Sequence, residues 1–377
     1  MRVLRIGVDA RPLSSRVSGV ARVITNILRH YPDHGKGTEF LLYSAGPCHR
    51  DHIDLLDRPN IKWVQGKGAL AWKQGLWFNS ALPLSLRHDS LNVFWGSQQV
   101  LPPLLPASLP AVLTFYDLVA LYFPGAMRRI ARIQQKAFLN YSVRRAARIL
   151  CISDQSRVDM IRELNVPESR AGVALLGADI PPRFSDSPRK AGNAKTATPY
   201  ILAVSTLEPR KNYGMLLDAY ADYAAREQKP LRLVIAGRRG WETPEFYLKL
   251  ANLESRGLVK IEDSMSDEAL HRLYAGCAFF VMPSLYEGFG LPLLEAMSHG
   301  KFGLVSDLPC FHEIGAKQAR YLPARDSAAW SIALSETTAL SQKKKLPAIK
   351  WNAKDWSWEK TARIHADAFA SVARLDD

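Results

Sequence analysis

Short apolar runs recur along this chain at intervals that suit an alternation of buried strands and helices. Leu4–Val8, Glu39–Tyr43, Ile61–Val64, Asn92–Trp95, Ala111–Phe115 and Arg148–Ile152 read as strands in the first half. Tyr200–Val204, Leu231–Ala236, Val259–Ile261 and Ala278–Met282 read as strands in the second. Helical periods separate them, at Val20–Leu28, at Tyr213–Ala225 and from Pro292 onward, while W-S-W-E-K-T-A from Trp356 opens an amphipathic helix. This alternation predicts an α/β chain with parallel sheets. The polar stretch Ser185–Pro199, with its prolines and glycine, reads as a linker. The expected division is therefore 1–185, a linker at 186–199, a second domain at 200–355 and a terminal helix at 356–377.

Length agrees with that division, since 377 residues exceed one ordinary core and suit two domains. A hydrophobic content of 47% indicates folded domains, not disorder. No apolar run approaches the ~18 residues that a membrane-spanning helix needs. The start, M-R-V-L-R-I-G-V-D, is too short in its apolar part for a signal peptide and reads as a strand. Cys48, Cys151, Cys277 and Cys310 are scattered, without a C-x-x-C pair or zinc-type histidine spacing, so free thiols in a reducing cytoplasm are expected.

Charge changes the picture. The formal net charge is +14, and it is concentrated early: up to Lys190 there are 26 Lys/Arg against 14 Asp/Glu. Between Asp117 and Asp154 no acid occurs, but Arg128, Arg129, Arg132, Lys136, Arg144, Arg145 and Arg148 do. Such a face is either merely solvated or meets an anionic partner: lipid headgroups, a diphosphate-linked molecule or nucleic acid. No helix-turn-helix, RNP or zinc pattern supports nucleic acid. There is also no G-x-G-x-x-G, the dinucleotide fingerprint.

The candidate chemistry lies in P-S-L-Y-E-G-F-G-L-P-L-L-E-A-M-S-H-G, Pro283–Gly300. Gly288 and Gly290 allow a tight turn and close approach of a ligand between a strand and a helix. The free N–H groups that begin the helix favour an anion or a ring of hydroxyls. Glu287 stands before the turn, and Glu295 is placed in the helix's opening turn, so both carboxylates can border one pocket. A carboxylate accepts two hydrogen bonds from a sugar diol. The same geometry also fits an ordinary strand–turn–helix junction with solvated glutamates. Upstream, T-L-E-P-R-K-N sets Arg210 and Lys211 at a strand's carboxyl end ahead of a helix, where two cations can neutralise a diphosphate or simply be surface charge.

The wording of Pro283–Gly300 resembles the E-x7-E signature of the retaining nucleotide-sugar glycosyltransferases of family four, the group-one glycosyltransferases. The resemblance extends over nearly the whole chain. It implies the GT-B fold, two Rossmann-like domains facing a cleft with the terminal helix at 356–377 crossing back to pack on the first, and transfer of a sugar from a nucleoside diphosphate without a metal or other cofactor. By the same resemblance Arg210 and Lys211 grip the donor phosphates. Glu287 with Gly288, Phe289, Gly290 and Leu291 holds the sugar, and Glu295 holds the ribose. Gly237, in G-R-R-G-W, and Met265, in the Ser264–Glu268 loop, correspond to segments near the nucleotide, and Gly19 to a glycine loop near the diphosphate and acceptor. Tyr116-Asp117-Leu118 replaces the relatives' His-Asp-Leu, so Tyr116 and Asp117 become the expected contacts to the sugar. Phe302 replaces the proline of the usual G-x-P-V.

The T-L-E-P-R-K-N and G-R-R-G-W wording is most similar to bacterial mannosyltransferases that build exopolysaccharide or O-antigen on a lipid carrier. That implies GDP-mannose as donor, a lipid-linked saccharide as acceptor, and peripheral attachment to the anionic inner face of the cell membrane, with no nucleic-acid partner. UDP-glucose, UDP-GlcNAc, dTDP-rhamnose and GDP-fucose remain alternatives, as do a phosphorylase or epimerase of the same fold and a non-catalytic basic binding protein. Two apolar stretches, Gly68–Phe78 and Val100–Pro110, read as loops that either pack internally or form a rim for a lipid-linked acceptor.

Overall fold

Two parallel sheets organise the chain, one in each of two units. The computed structural model describes residues 3–16, 18–32, 37–67, 73–123, 129–178, 198–263 and 265–373. The first unit comprises Met1–Gly177 together with Lys354–Asp377, and the second comprises Ala178–Ala353. The linker expected at 186–199 lies outside the described residues except for 198 and 199.

In the first unit the strands are β1 (Leu4–Asp9), β2 (Thr38–Ser44), β3 (Ile61–Gln65), β4 (Val93–Gly96), β5 (Ala111–Phe115), β6 (Arg148–Cys151) and β7 (Ala171–Val173). Their order in the sheet is β3-β2-β1-β4-β5-β6-β7, and every pairing is parallel. Ile6, Val8, Phe40, Leu42, Phe94, Trp95, Val112 and Leu113 are all fully buried, as strands covered by helices on both faces must be. The second unit has β8 (Tyr200–Val204), β9 (Arg232–Ala236), β10 (Val259–Glu262), β11 (Phe279–Met282), β12 (Gly303–Ser306) and β13 (Ala319–Leu322). Here the parallel order is β10-β9-β8-β11-β12-β13. Strand order reverses between β1 and β4 in one sheet and between β8 and β11 in the other. At such a point neighbouring loops leave in opposite directions and open a crevice beyond the strands' carboxyl ends.

The last helix, Trp358–Val372, belongs to the first unit. Ser357 caps it by accepting from the Lys360 N–H, and Trp358, Thr361, Ala362, His365, Ala368 and Phe369 form one buried stripe at helical spacing. Its attachment is partly polar. His365 Nε2 lies 3.3 Å from Thr114 Oγ1, which also accepts from Trp95 Nε1 at 2.8 Å, and Thr361 donates to the Leu175 carbonyl. Burial draws the His365 imidazole down to about 4, so it is neutral there.

Two loop expectations divide. Val100–Pro110 has no regular structure, and it buries Leu101, Leu105 and Leu109 while leaving Leu104 63% exposed. Gly68–Phe78 is a loop only in part: residues 68–72 lie outside the described residues, and Gln74–Ser85 is a helix. That helix buries Trp77, Phe78 and Leu82 yet exposes Leu76 and Leu84, so it is apolar on both sides and shows no helical period in the sequence.

Candidate active site

The second unit's reversal point holds most of the residues singled out above. Beyond β8 the chain keeps pairing with the segment after β9, through Ser205 N–H to the Ala236 carbonyl at 3.1 Å and Leu207 N–H to the Arg238 carbonyl at 2.9 Å. Gly237 and Gly240 make this possible. A Cβ on Gly237 would sit 1.8 Å from the Ser205 carbonyl oxygen, and one on Gly240 would sit 2.0 Å from that of Leu207. Gly237 thus has a chain-packing reason to be glycine.

Pro209–Lys211 then forms a single 3-10 turn, closed by Asn212 in the left-handed conformation at φ 60°. The Asn212 amide donates to the carbonyls of Pro283 at 3.0 Å and Ala324 at 2.6 Å, and the Leu285 N–H donates to the Arg210 carbonyl at 2.8 Å. These bonds clasp the Arg-Lys turn against the loop that follows β11. Asparagine tolerates the left-handed region better than most residues, which suits it to this hinge.

Within the clasp the charged side chains pair. Arg210 Nη1 donates to Glu287 Oε2 at 2.7 Å, and Lys211 Nζ donates to Glu287 Oε1. Ser284 Oγ also donates to Oε1, at 2.8 Å, while Arg210 Nε sits 2.9 Å from Glu208 Oε1. Glu208, Lys211 and Glu287 are all at least nine-tenths buried. Burial alone would raise the Glu287 carboxyl, but Arg210 and Lys211 outweigh it and hold it down at about 2. Burial lowers the Lys211 ammonium from the ordinary lysine range, and the Arg210 charge adds to that against the pull of Glu287. The result is a buried chain, Glu208–Arg210–Glu287–Lys211, in which two cations are balanced by two carboxylates.

Gly288 and Phe289 continue from Glu287 to Gly290, whose φ of 126° and closeness to Phe311, 2.7 Å from a notional Cβ, exclude a side chain. The helix Leu291–Ser298 starts there with Pro292 in its first turn. Glu295 is its fifth residue, one place beyond the opening turn expected from the sequence. Its Oε2 accepts from the Tyr274 hydroxyl at 2.8 Å, and the Tyr274 ring stacks on His299 at 5.7 Å between centroids. Behind them His299 Nε2 and His271 Nδ1 are 2.9 Å apart. Burial, then the neighbouring His271 and Lys301, lower His299 to about 4. Met265 is half-buried beyond β10, one residue ahead of the Ser266 cap of the helix Asp267–Gly276.

The remaining candidates lie in the first unit. Gly19 opens the helix Gly19–Arg29 behind the Ser18 cap, and a Cβ there would meet nothing within 4 Å. The Tyr116 hydroxyl is turned inward and donates to the Ser97 carbonyl at 2.9 Å; burial, with Asp9 adding to it, raises its phenol. Gln99, itself left-handed at φ 66°, accepts from the N–H groups of Tyr116 and Asp117 at 2.8 and 3.0 Å and donates to the Asp117 carbonyl at 2.7 Å. Asp117 Oδ1 accepts from the Val119 N–H at 3.0 Å. Glu208, Asn212, Tyr274, Ser284 and Gln99 are thus built into the candidate sites without having been singled out. Glu208 and Asn212 stand within T-L-E-P-R-K-N and Ser284 within Pro283–Gly300, whereas Tyr274 and Gln99 carried no local signal. Among the described residues no group of three or more His, Cys, Asp or Glu side chains could hold a metal ion, and no helix is long and apolar enough to cross a membrane.

Two parallel-sheet domains with such a charged cluster at a reversal point fit the GT-B fold, and comparison with known proteins supplies the family. Residues 185–356 match the family model described as Glycosyl transferases group 1, and residues 17–180 match Glycosyltransferase Family 4. O-antigen chain mannosyltransferase B of Escherichia coli is 30% identical over 281 residues, 73% of each chain. GDP-mannose:cellobiosyl-diphosphopolyprenol alpha-mannosyltransferase of Xanthomonas oryzae is 32% identical over 178 residues, 46% of this chain and 44% of that protein. Among solved structures, Anabaena HepE in complex with UDP-glucose superposes with a TM-score of 0.71 at 16% identity, covering 98% of this chain and 100% of that one. The chain belongs to the group 1 glycosyltransferases.

Proposed function

We propose that this glycosyltransferase moves mannose from GDP-mannose, with retention at the anomeric carbon and without a metal, to a lipid-diphosphate-linked saccharide. The observation that carries the reading is the buried Arg210–Glu287–Lys211 cluster at the carboxyl ends of β8 and β11. Departure of a nucleoside diphosphate builds negative charge on the leaving phosphate, and preorganised cations in a buried site stabilise it strongly. Arg210 and Lys211 supply those cations. An arriving diphosphate competes with Glu287 for them, which leaves the Glu287 carboxylate to accept hydrogen bonds from sugar hydroxyls beside the Gly288–Leu291 backbone. Glu295, oriented by Tyr274, takes the ribose diol. Retention asks for no protein base when the leaving phosphate itself accepts the proton of the incoming hydroxyl on the same face.

The choice of mannose is supported by the names of the relatives, and the Xanthomonas oryzae enzyme's name joins GDP-mannose to a diphosphopolyprenol acceptor. Peripheral attachment to an anionic membrane is supported by the excess of 26 Lys/Arg over 14 Asp/Glu up to Lys190. A hydrolysis assay over GDP-mannose, GDP-fucose, UDP-glucose, UDP-GlcNAc and dTDP-rhamnose tests the donor. GDP-mannose should be cleaved fastest, with α-mannose as the first-formed sugar by NMR. Preference for a uridine or thymidine donor overturns the donor assignment, and a β-anomer overturns retention.

A further inference from the structure

The first unit has its own reversal point between β1 and β4, and a second charged group is built there. Asp9 ends β1 and is fully buried. It is saturated: Arg11 Nε donates to Oδ1 at 2.8 Å, Arg11 Nη2 and Gln98 Nε2 donate to Oδ2 at 2.8 and 3.0 Å, and the Arg11 N–H approaches Oδ1 at 3.4 Å. The Arg11 guanidinium also lies over the Phe78 ring, its carbon 3.4 Å from the centroid. Its backbone is pinned as well, because Gln74 Nε2 donates to the Arg11 carbonyl at 3.3 Å and to Ser44 Oγ at 3.1 Å.

One edge and one face of this guanidinium are therefore spoken for, in a side chain only 9% exposed. Nη1, with two N–H donors, has no hydrogen-bond partner among the described residues. This unpaired edge of the guanidinium remains accessible, and such an edge suits an oxyanion. Asp9 cannot be the ligand-binding group, because its acceptor sites are filled; it fixes the direction in which Arg11 points.

We infer that Arg11, held by Asp9 and Phe78 at the carboxyl ends of β1 and β4, is an anion-binding site of the first unit that takes a phosphate oxygen of the acceptor. The preference for an anion over a neutral hydroxyl follows from the guanidinium's charge and from the unit's strongly basic balance. Naming the acceptor as the source of that phosphate rests on the proposed transfer to a diphosphate-linked saccharide. The site itself does not.

The test is calorimetric titration of the full chain with inorganic pyrophosphate while GDP is held at saturation. The unaltered chain should bind pyrophosphate under these conditions, and Arg11→Gln should weaken that binding at least tenfold. Asp9→Asn, which keeps the guanidinium but loosens it, should weaken it less. The affinity of Arg11→Gln for GDP, measured alone, should equal that of the unaltered chain. If Arg11→Gln shows no cooperative thermal transition, Arg11→Lys replaces it with the same expectation, since it keeps a charge for Asp9. Inorganic phosphate in place of pyrophosphate distinguishes the source: tighter pyrophosphate binding marks a diphosphate linkage, and equal binding marks a terminal phosphate. Absence of pyrophosphate binding to the unaltered chain, indifference to Arg11→Gln, or a matching loss of GDP affinity overturns the site. Failure of the unaltered chain to bind GDP would count against the proposed donor and not against Arg11.

Discussion

Tyr274 donates its hydroxyl to Glu295 across 2.8 Å, although the two residues belong to different helices separated by β11. If Glu295 serves the ribose, Tyr274 is the residue that keeps its carboxylate in place. Tyr274→Phe keeps the ring against His299 and removes only that bond. GDP affinity should fall about three- to tenfold, in keeping with roughly 1 kcal/mol for one hydrogen bond. The donor's KM should rise while kcat changes little. Glu295→Gln should weaken GDP binding too, whereas Glu287→Gln should spare it because Glu287 is assigned to the sugar. Calorimetry with GDP reads all three variants, and equal losses from both glutamate changes would mean the roles are wrongly divided.

Arg210 and Lys211 share Glu287, so removing either leaves the carboxylate with one cation and the Ser284 hydroxyl. The fold should therefore tolerate each alanine substitution better than the chemistry does. Turnover should drop on the order of a hundredfold or more for Lys211→Ala, the scale of one lost contact at a developing charge. Steady-state kinetics decide it: near-normal kcat in both Arg210→Ala and Lys211→Ala removes the cluster from the reaction.

Gly19 separates ligand from fold unusually well. A methyl group at this position meets open space, and the residue sits at the first position of a capped helix. Gly19→Ala should leave stability unchanged or raise it by about 0.5–1 kcal/mol. If a ligand passes close to this loop, activity should nonetheless fall. A variant that is both stable and fully active would show that nothing approaches the loop there.

Acid should loosen the first unit before it reaches the carboxylate cluster of the second. His365 is drawn down to about 4 from an ordinary 6.5, so its neutral form is favoured by the fold. That contribution is complete above pH 6.5 and is lost as pH falls toward 4, up to about 3 kcal/mol. His299, also near 4, acts in the same window in the second unit. Glu287 keeps its charge until about pH 2, so its contribution, present above the usual carboxylate value near 4.5, goes only later. Denaturation midpoints between pH 7 and 4 should fall for the unaltered chain and fall less for His365→Gln.

Much of this was legible in the residues. Buried parallel strands announce themselves as apolar runs, and the turn with Glu287, Gly288 and Gly290 carries its own wording. What escaped reading depends on contacts between distant segments. Tyr274 and Glu295 are 21 residues apart, and nothing local marks the tyrosine. Arg11 looks like loop charge until β1 and β4 bring Asp9 and Gln98 beside it. The helix Gln74–Ser85 hides because both of its faces are apolar, and β7 hides because three residues give too little pattern.

The helix Trp358–Val372 leaves the ribosome after every residue of the second unit, yet its stripe of Trp358, His365 and Phe369 belongs to the first. During synthesis the second unit can close on its own sequence, while the first must wait with Trp95 and Thr114 uncovered for the last stretch of chain. The half of the molecule that is made first is therefore finished last. A chain cut short before residue 358 would carry an intact second unit joined to a first unit exposing its core, a form that chaperones and proteases recognise.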